Sequence, residues 1–537
     1  MQRLNPLSIW LARLWSLLVP VKYWRTEYLS PRRVAGLEVL DPADYFSVEE
    51  WHRAMEDAYL AYRADADSPA LEQWRAIQFE ERYLFDEMAR RAHPGARRTG
   101  AGFAVLDALW LAVLAAGKTV RQARALFRRE GNADTAPCAV FWTDISAGEV
   151  ASADRRLSFS FAVERGLIEP RECLYFLAAP PPPEAAERLR RLGVRWTTVA
   201  SFGFLPLPAK LGALAALLGA MFSGGLVRWR HVVEAAPWVA AARALGCRTY
   251  LTSVSSAWPE PPQVEALRKR GVRTINWSYG ANTFCFSVAD ASFRDLGLLR
   301  SVTAAAEVWV WTEAVGDWLR RRALGAPPAM RLIGPVMSGD SRWLARTPAA
   351  ARAAYGIAEA PGRRYVAVFD VPPVNKEMRL AIGHGPTVYP PAMLEAFFRD
   401  VQELLRLPEV TLVVKPKRSL QDPRREFADS MHELLASGRV IAVPHDIDPY
   451  IPVALADVCI GVPFTSPVVA GLYSGRGGVF HDPRHEVVHV PGAPELLAHV
   501  THSVEELQDR VARLLQTGFA PPTAADPGER LAAALRG

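Results

Sequence analysis

The chemistry-bearing residues of this chain gather at the ends of short apolar runs. VVKPKRS ends a strand-like run with Lys415, Lys417 and Arg418. Three cations at the end of a buried strand suit an anion, and a phosphate is the natural partner; a solvated loop is the plain alternative. GVPFTSPVVAGLYSG, residues 461–475, turns at Pro463 and places Thr465 and Ser466 at N-cap positions, with Pro467 in the first helical turn. Hydroxyls and N–H groups at a helix start form an anion site. Asp446 in HDIDPY and His481 in FHDPRHE also follow apolar runs, and either residue suits a nucleotide or sugar hydroxyl, or a local turn.

Two carboxylates compete for the role of general base. Asp144 ends CAVFWT and Glu313 ends AEVWVWT. Partial burial would bring either toward neutral pKa, while helix capping is the structural alternative. INWSYGANTF, residues 275–284, offers Trp277 and Tyr279 for stacking on a sugar face and Ser278 and Asn282 for its hydroxyls, and the same mix is equally ordinary for a loop. His481, Asp482, His485 and Glu486 lack standard metal-ligand spacing, so no metal is expected.

These residues need strands to position them. From Pro137 onward, apolar runs alternate with helical patterns: 138–143, 172–178, 194–200, 247–253, 272–278 and 306–312. After a turn at Gly334-Pro335 the alternation resumes at 364–371, 411–416, 440–444, 458–462 and 477–482. Such alternation indicates parallel α/β sheets. The expected fold class is therefore α/β with two Rossmann-like domains behind a mainly helical N-terminal extension. The expected boundaries are 1–133 for the extension, 134–335 and 336–520 for the two domains, and 521–537 for a flexible tail.

The chain has 537 residues, 50% hydrophobic and 22% charged, a globular composition rather than a disordered one. Its formal charge of +6 suits an anionic small molecule or membrane face and gives no reason to invoke nucleic acid. Five Cys without paired spacing exclude a disulfide framework and point to a cytoplasmic protein. Trp10, Trp15 and Trp24 lie among Leu and basic residues near the N-terminus, a pattern that suits either a helix docked on the protein or peripheral contact with the inner face of a membrane. The uncharged run 211–227 is at the short edge of a span and reads as a buried helix or a monotopic contact. No GxGxxG, P-loop, HExxH or GxSxG motif is present.

In the series LIGPVMSGD, RYVAVFD, VVKPKR, GVPFTSPVVAGLYSG and GGVFHDP, the second domain resembles the donor half of GT-B glycosyltransferases of bacterial surface polysaccharide (capsule and lipopolysaccharide) biosynthesis. It is distantly similar to CMP-sugar transferases of the sialyl and Kdo type. Those carry a His-Pro pair and a Ser-Ser/Thr pair near the donor phosphate; here Lys415-Pro416 and Thr465-Ser466 stand in those places. The resemblance implies a nucleotide-sugar donor held by Lys415, Lys417, Arg418, Asp446, Thr465, Ser466 and His481, and a glycan or lipid-linked acceptor deprotonated by Asp144 or Glu313. It implies no metal or other cofactor. The alternatives are a CDP-glycerol-type glycerophosphotransferase, a non-hydrolysing sugar-nucleotide epimerase, and a non-catalytic scaffold of a polysaccharide assembly complex.

Overall fold

The computed structural model describes residues 116–143, 166, 168–220, 226–252, 263–277, 287–288, 305–313, 316–317, 320, 328–335, 341–371, 391–422, 428–463, 465–485, 487–489, 499–519, 530 and 533–535. The expected helical extension, with the Trp-rich N-terminus, lies outside the described residues up to 115; a helix over 116–127 is its described end.

Fifteen short strands are described. They are β1 (Val140–Thr143), β2 (Cys173–Leu177), β3 (Arg195–Thr198), β4 (Thr249–Thr252), β5 (Arg273–Trp277), β6 (Ser287–Val288), β7 (Glu307–Val310) and β8 (Ala329–Leu332), then β9 (Arg364–Phe369), β10 (Val410–Lys415), β11 (Val440–Ala442), β12 (Val458–Gly461), β13 (Gly477–His481), β14 (Val487–His489) and β15 (Val500–Thr501). The first unit is a seven-stranded sheet in the order β3-β2-β1-β4-β5-β7-β8. The second is six-stranded, in the order β11-β10-β9-β12-β13-β15. Every pairing within the two sheets is parallel. β6 and β14 pair antiparallel outside them.

Numbered within its own unit, the second sheet runs 3-2-1-4-5-6, the doubly wound order, and the first begins in the same way. The sequence causes this directly. RYVAVF in β9 and VTLVVK in β10 are apolar on both faces, as strands covered by helices on both sides must be. Helices are delimited by their caps. Thr347 accepts the Ala350 N–H at 3.3 Å to start Pro348–Tyr355, and Gly356, at φ 82°, ends it. Ser503 accepts the Glu506 N–H to start Val504–Thr517, which buries Leu507, Val511 and Leu514.

In the first unit Trp277 sits between Trp142 and Trp309, with ring centroids 5.5 Å from each. Each such pair contributes about 0.5–1.5 kcal/mol beyond its buried area. The expected sugar-stacking role of Trp277 is thereby corrected: its ring is fully buried core. Tyr279, Ser278 and Asn282 lie outside the described residues.

Polar contacts join the units. Tyr473 Oη donates to the Trp311 carbonyl at 3.2 Å, and Tyr450 Oη to that of Pro335 at 2.5 Å. Trp311 itself lies in one apolar cluster with Val308 and Val310 of the first unit and Phe369 and Val413 of the second. At the other end of the chain, Ala534 is buried in the first unit and its carbonyl accepts Arg273 Nη2 at 2.9 Å. The stretch expected to be a flexible tail is held to the first unit at that point.

Candidate functional site

In open α/β sheets ligands bind outside the carboxyl ends of the strands, at the point where strand order reverses. In the second unit that point lies between β9 and β12. Register sets Lys415 of β10, Phe369 of β9 and Gly461 of β12 in one row, with Phe480 of β13 beside Gly461. The residues one step further along are Pro416, Asp370, Val462 and His481. The row therefore carries Asp370 at its centre, the basic run on one side and Pro463–Ser466 on the other.

Asp370 was not singled out from sequence, because one carboxylate after an apolar run is ordinary until strand order shows where that run lies. Only 4% of its surface is exposed. Its Oδ1 accepts the Lys417 backbone N–H at 2.5 Å. Its Oδ2 is buried and has no hydrogen-bond partner among the described residues. Burial pushes its pKa up to about 6, against the opposing pull of that N–H and of the Lys417 and Lys415 charges. It is therefore mostly ionised at neutral pH, and in that form it is acceptor-only with one oxygen uncommitted.

The basic run divides its labour. Lys415 is buried, and its ammonium donates to the His445 carbonyl at 2.8 Å, tying the end of β10 to the loop after β11. Lys417 and Arg418 are half-buried, and Arg418 Nη1 donates to the Lys417 carbonyl at 3.1 Å. Asp446 is exposed on the loop after β11, an edge strand. Its neighbour Asp448 accepts the Tyr450 N–H at 2.7 Å at the start of helix Tyr450–Leu455.

On the other side, Thr465 is buried at the N-cap of helix Ser466–Tyr473, and its hydroxyl turns back to donate to the Val462 carbonyl at 3.0 Å. A Cβ on Gly461 would stand 2.2 Å from Thr465 Oγ1 and 3.0 Å from Val468 Cγ2. A glycine there lets the turn fold against the strand. Ser466, half-buried, opens the helix toward the carboxyl end of the sheet. His481 is fully buried and both ring nitrogens are engaged, Nε2 with Asp400 Oδ2 at 2.8 Å and Nδ1 with Thr501 Oγ1 at 3.0 Å.

The two expected bases belong to the first unit. Glu313 is exposed just past β7. Asp144 lies outside the described residues, but in sequence it directly follows β1, a strand at that sheet's own reversal point. The structure thus brings Lys415, Lys417, Thr465 and Ser466 to one sheet end around Asp370. Among the described residues no group of His, Cys, Asp and Glu forms a metal site.

Fold and site together define an α/β protein of two doubly wound parallel sheets, with a partly buried charged site at the reversal point of the second. The chain belongs to the family of polysaccharide biosynthesis PFTS motif proteins, whose profile matches residues 217–511. Residues Pro463, Phe464, Thr465 and Ser466 spell those four letters at that site. No curated protein matches the chain. Among solved structures it is similar to Anabaena HepE in complex with UDP-glucose, at 13% identity and TM-score 0.40, over 74% of this chain and 94% of that one. It is also similar to the trehalose 6-phosphate synthase of Burkholderia multivorans (15% identity, TM-score 0.38, 75% of this chain and 95% of that one). A third is Acinetobacter baumannii MurG, at 14% identity and TM-score 0.32, over 74% and 95% of the two chains. At these scores no residue role is carried across.

Proposed function

We propose that this chain is a glycosyltransferase of GT-B arrangement that moves a sugar from a nucleotide-activated donor to a hydroxyl of a surface-glycan or lipid-linked acceptor. The observation that carries this reading is the meeting, at one strand-order reversal, of the buried Asp370 carboxylate, the Lys417–Arg418 cations and the Thr465–Ser466 helix start. Anion donors and a lone acceptor side by side match a nucleotide diphosphate or monophosphate with its sugar hydroxyls.

In this reading Lys417, Arg418 and the start of helix Ser466–Tyr473 hold the departing phosphate, whose charge grows as the glycosidic bond breaks. Asp370 Oδ2 accepts a hydroxyl of the donor. Lys415 and His481 act through their protein partners, fixing the loops after β11 and β13. Asp144 takes the acceptor proton, being the carboxylate that follows the strand at the first sheet's reversal point; Glu313, past the strand three places further along the sheet, is the second candidate.

A thermal-shift panel with CMP, CDP, UDP, GDP and TDP tests the site. A ligand at a hundred times its dissociation constant adds about 2.7 kcal/mol of stability. The expected result is a raised melting midpoint with one of these nucleotides, abolished by combining Lys417→Ala with Arg418→Ala. A shift with CMP alone identifies an acidic-sugar donor, and one with CDP supports glycerol-phosphate transfer. No shift with any nucleotide removes the reading in favour of a non-catalytic assembly role.

A further inference from the structure

Helix Leu207–Ala220 has two apolar faces. Ala213, Leu217 and Ala220 are buried in the first unit's core. Leu207, Leu211 and Leu218, spaced four and seven residues apart on the other side, are 61%, 53% and 53% exposed. Isolated exposed leucines need no explanation, but a surface helix ordinarily turns a polar face outward, and this one carries Lys210 as its sole charge.

The patch continues onto the helix over 116–127. Phe127 is 58% exposed, and the Lys210 ammonium lies 5.7 Å from its ring centre while donating to the Gly203 carbonyl at 2.7 Å. The same helix and the residues just after it carry the exposed Arg121, Arg124 and Arg129, which supply cations. From Ser201 to Val233 the sequence contains no Asp or Glu.

We propose that the face formed by Leu207, Leu211, Leu218 and Phe127 is a contact surface for an anionic lipid bilayer. Aliphatic side chains without polar interruption suit acyl chains, and the arginines beside them suit lipid phosphates. The 14-residue helix is about 21 Å long at 1.5 Å per residue, well short of the ~30 Å hydrocarbon core, so it lies in the membrane plane. No described helix is long and apolar enough to cross a membrane. This surface involves none of the residues of the nucleotide site, and its test is independent of any transfer activity.

The experiment is flotation of the full chain with vesicles of mixed phosphatidylglycerol and phosphatidylcholine, with phosphatidylcholine alone as control. The full chain should float with the anionic vesicles and little with the neutral ones. Leu211→Glu combined with Leu218→Glu should weaken flotation by about tenfold or more, and Arg121→Glu with Arg124→Glu should reduce the preference for phosphatidylglycerol. As a readout that needs no disruptive change, an environment-sensitive fluorophore attached through Leu211→Cys should shift its emission to the blue on adding anionic vesicles. Three results each overturn the proposal: no flotation of the full chain, undiminished flotation of the doubly substituted Glu variant, or a fluorophore that vesicles leave unmoved. The last would mean that another part of the chain covers this face.

Discussion

Asp370→Asn should make the protein more stable at neutral pH and bind its nucleotide donor ten- to a hundredfold more weakly. The two effects have one cause. The folded-state pKa of about 6 stands above the ordinary 3.8. The folded chain thus keeps a proton that the unfolded chain releases between those values. Stability falls as pH rises from 3.8 to about 6 and stays low above it, by an amount on the order of 2–3 kcal/mol.

An amide carries no charge to bury, so the substitution should recover most of that loss at neutral pH and little at pH 4. Its oxygen can still accept the Lys417 N–H, but the second oxygen becomes a donor. A hydrogen bond from a ligand hydroxyl to a charged acceptor contributes about 1.5–3 kcal/mol, which sets the expected loss of affinity. Paired melting curves across pH, with and without the nucleotide found in the panel, read both effects. Unchanged affinity would remove Asp370 from the donor site, and lower stability at neutral pH would show that its second oxygen has a partner.

The second large effect is structural. Gly131→Ala should destabilise the first unit by about 3 kcal/mol or more, because the cost of a strained φ and that of a backbone clash add. Gly131 holds φ at 84°, and a Cβ there would stand 2.2 Å from the Trp196 carbonyl oxygen. That oxygen accepts the N–H groups of Asn132 and Ala133, both at 3.2 Å. Asn132 in turn accepts the Trp196 N–H at 2.7 Å and donates to Val194 at 3.1 Å. These bonds occupy the outer side of β3, the edge strand of the first sheet, which would otherwise offer itself to another chain. Chemical denaturation followed by Trp fluorescence measures the change. A loss below 1 kcal/mol would show that this segment can leave the edge without consequence for the unit.

What the sequence revealed and what it hid follow from the same physics. Strands such as RYVAVF and VTLVVK were legible because a strand covered on both faces is a continuous apolar run. Their order was not, since nothing local in β9 says that β12 pairs beside it. Asp370 does not stand out in the sequence for that reason, although the apolar run that contains it does. The cations after β10 were legible as a cluster, but the turn of Lys415 toward His445 depends on a loop thirty residues away. The place of Trp277 is not legible because an aromatic at a strand end suits a sugar or a core equally well, and only the neighbouring Trp142 and Trp309 decide. β6, β14 and β15, of two or three residues each, carry no periodic signal.

The return of the chain to its starting unit has a mechanical consequence. The second unit is entered after Pro335, and by Ala534 the chain is back in the first. Topologically it is an insertion with two tethers rather than a bead at the end of a string. A rigid body held at one point can swivel in three directions, whereas one held at two points keeps only rotation about the line that joins them. The chain's own route thus restricts any movement of one unit against the other to rotation about that line. Any such rotation carries Asp370 and the Thr465–Ser466 helix start together along a single arc.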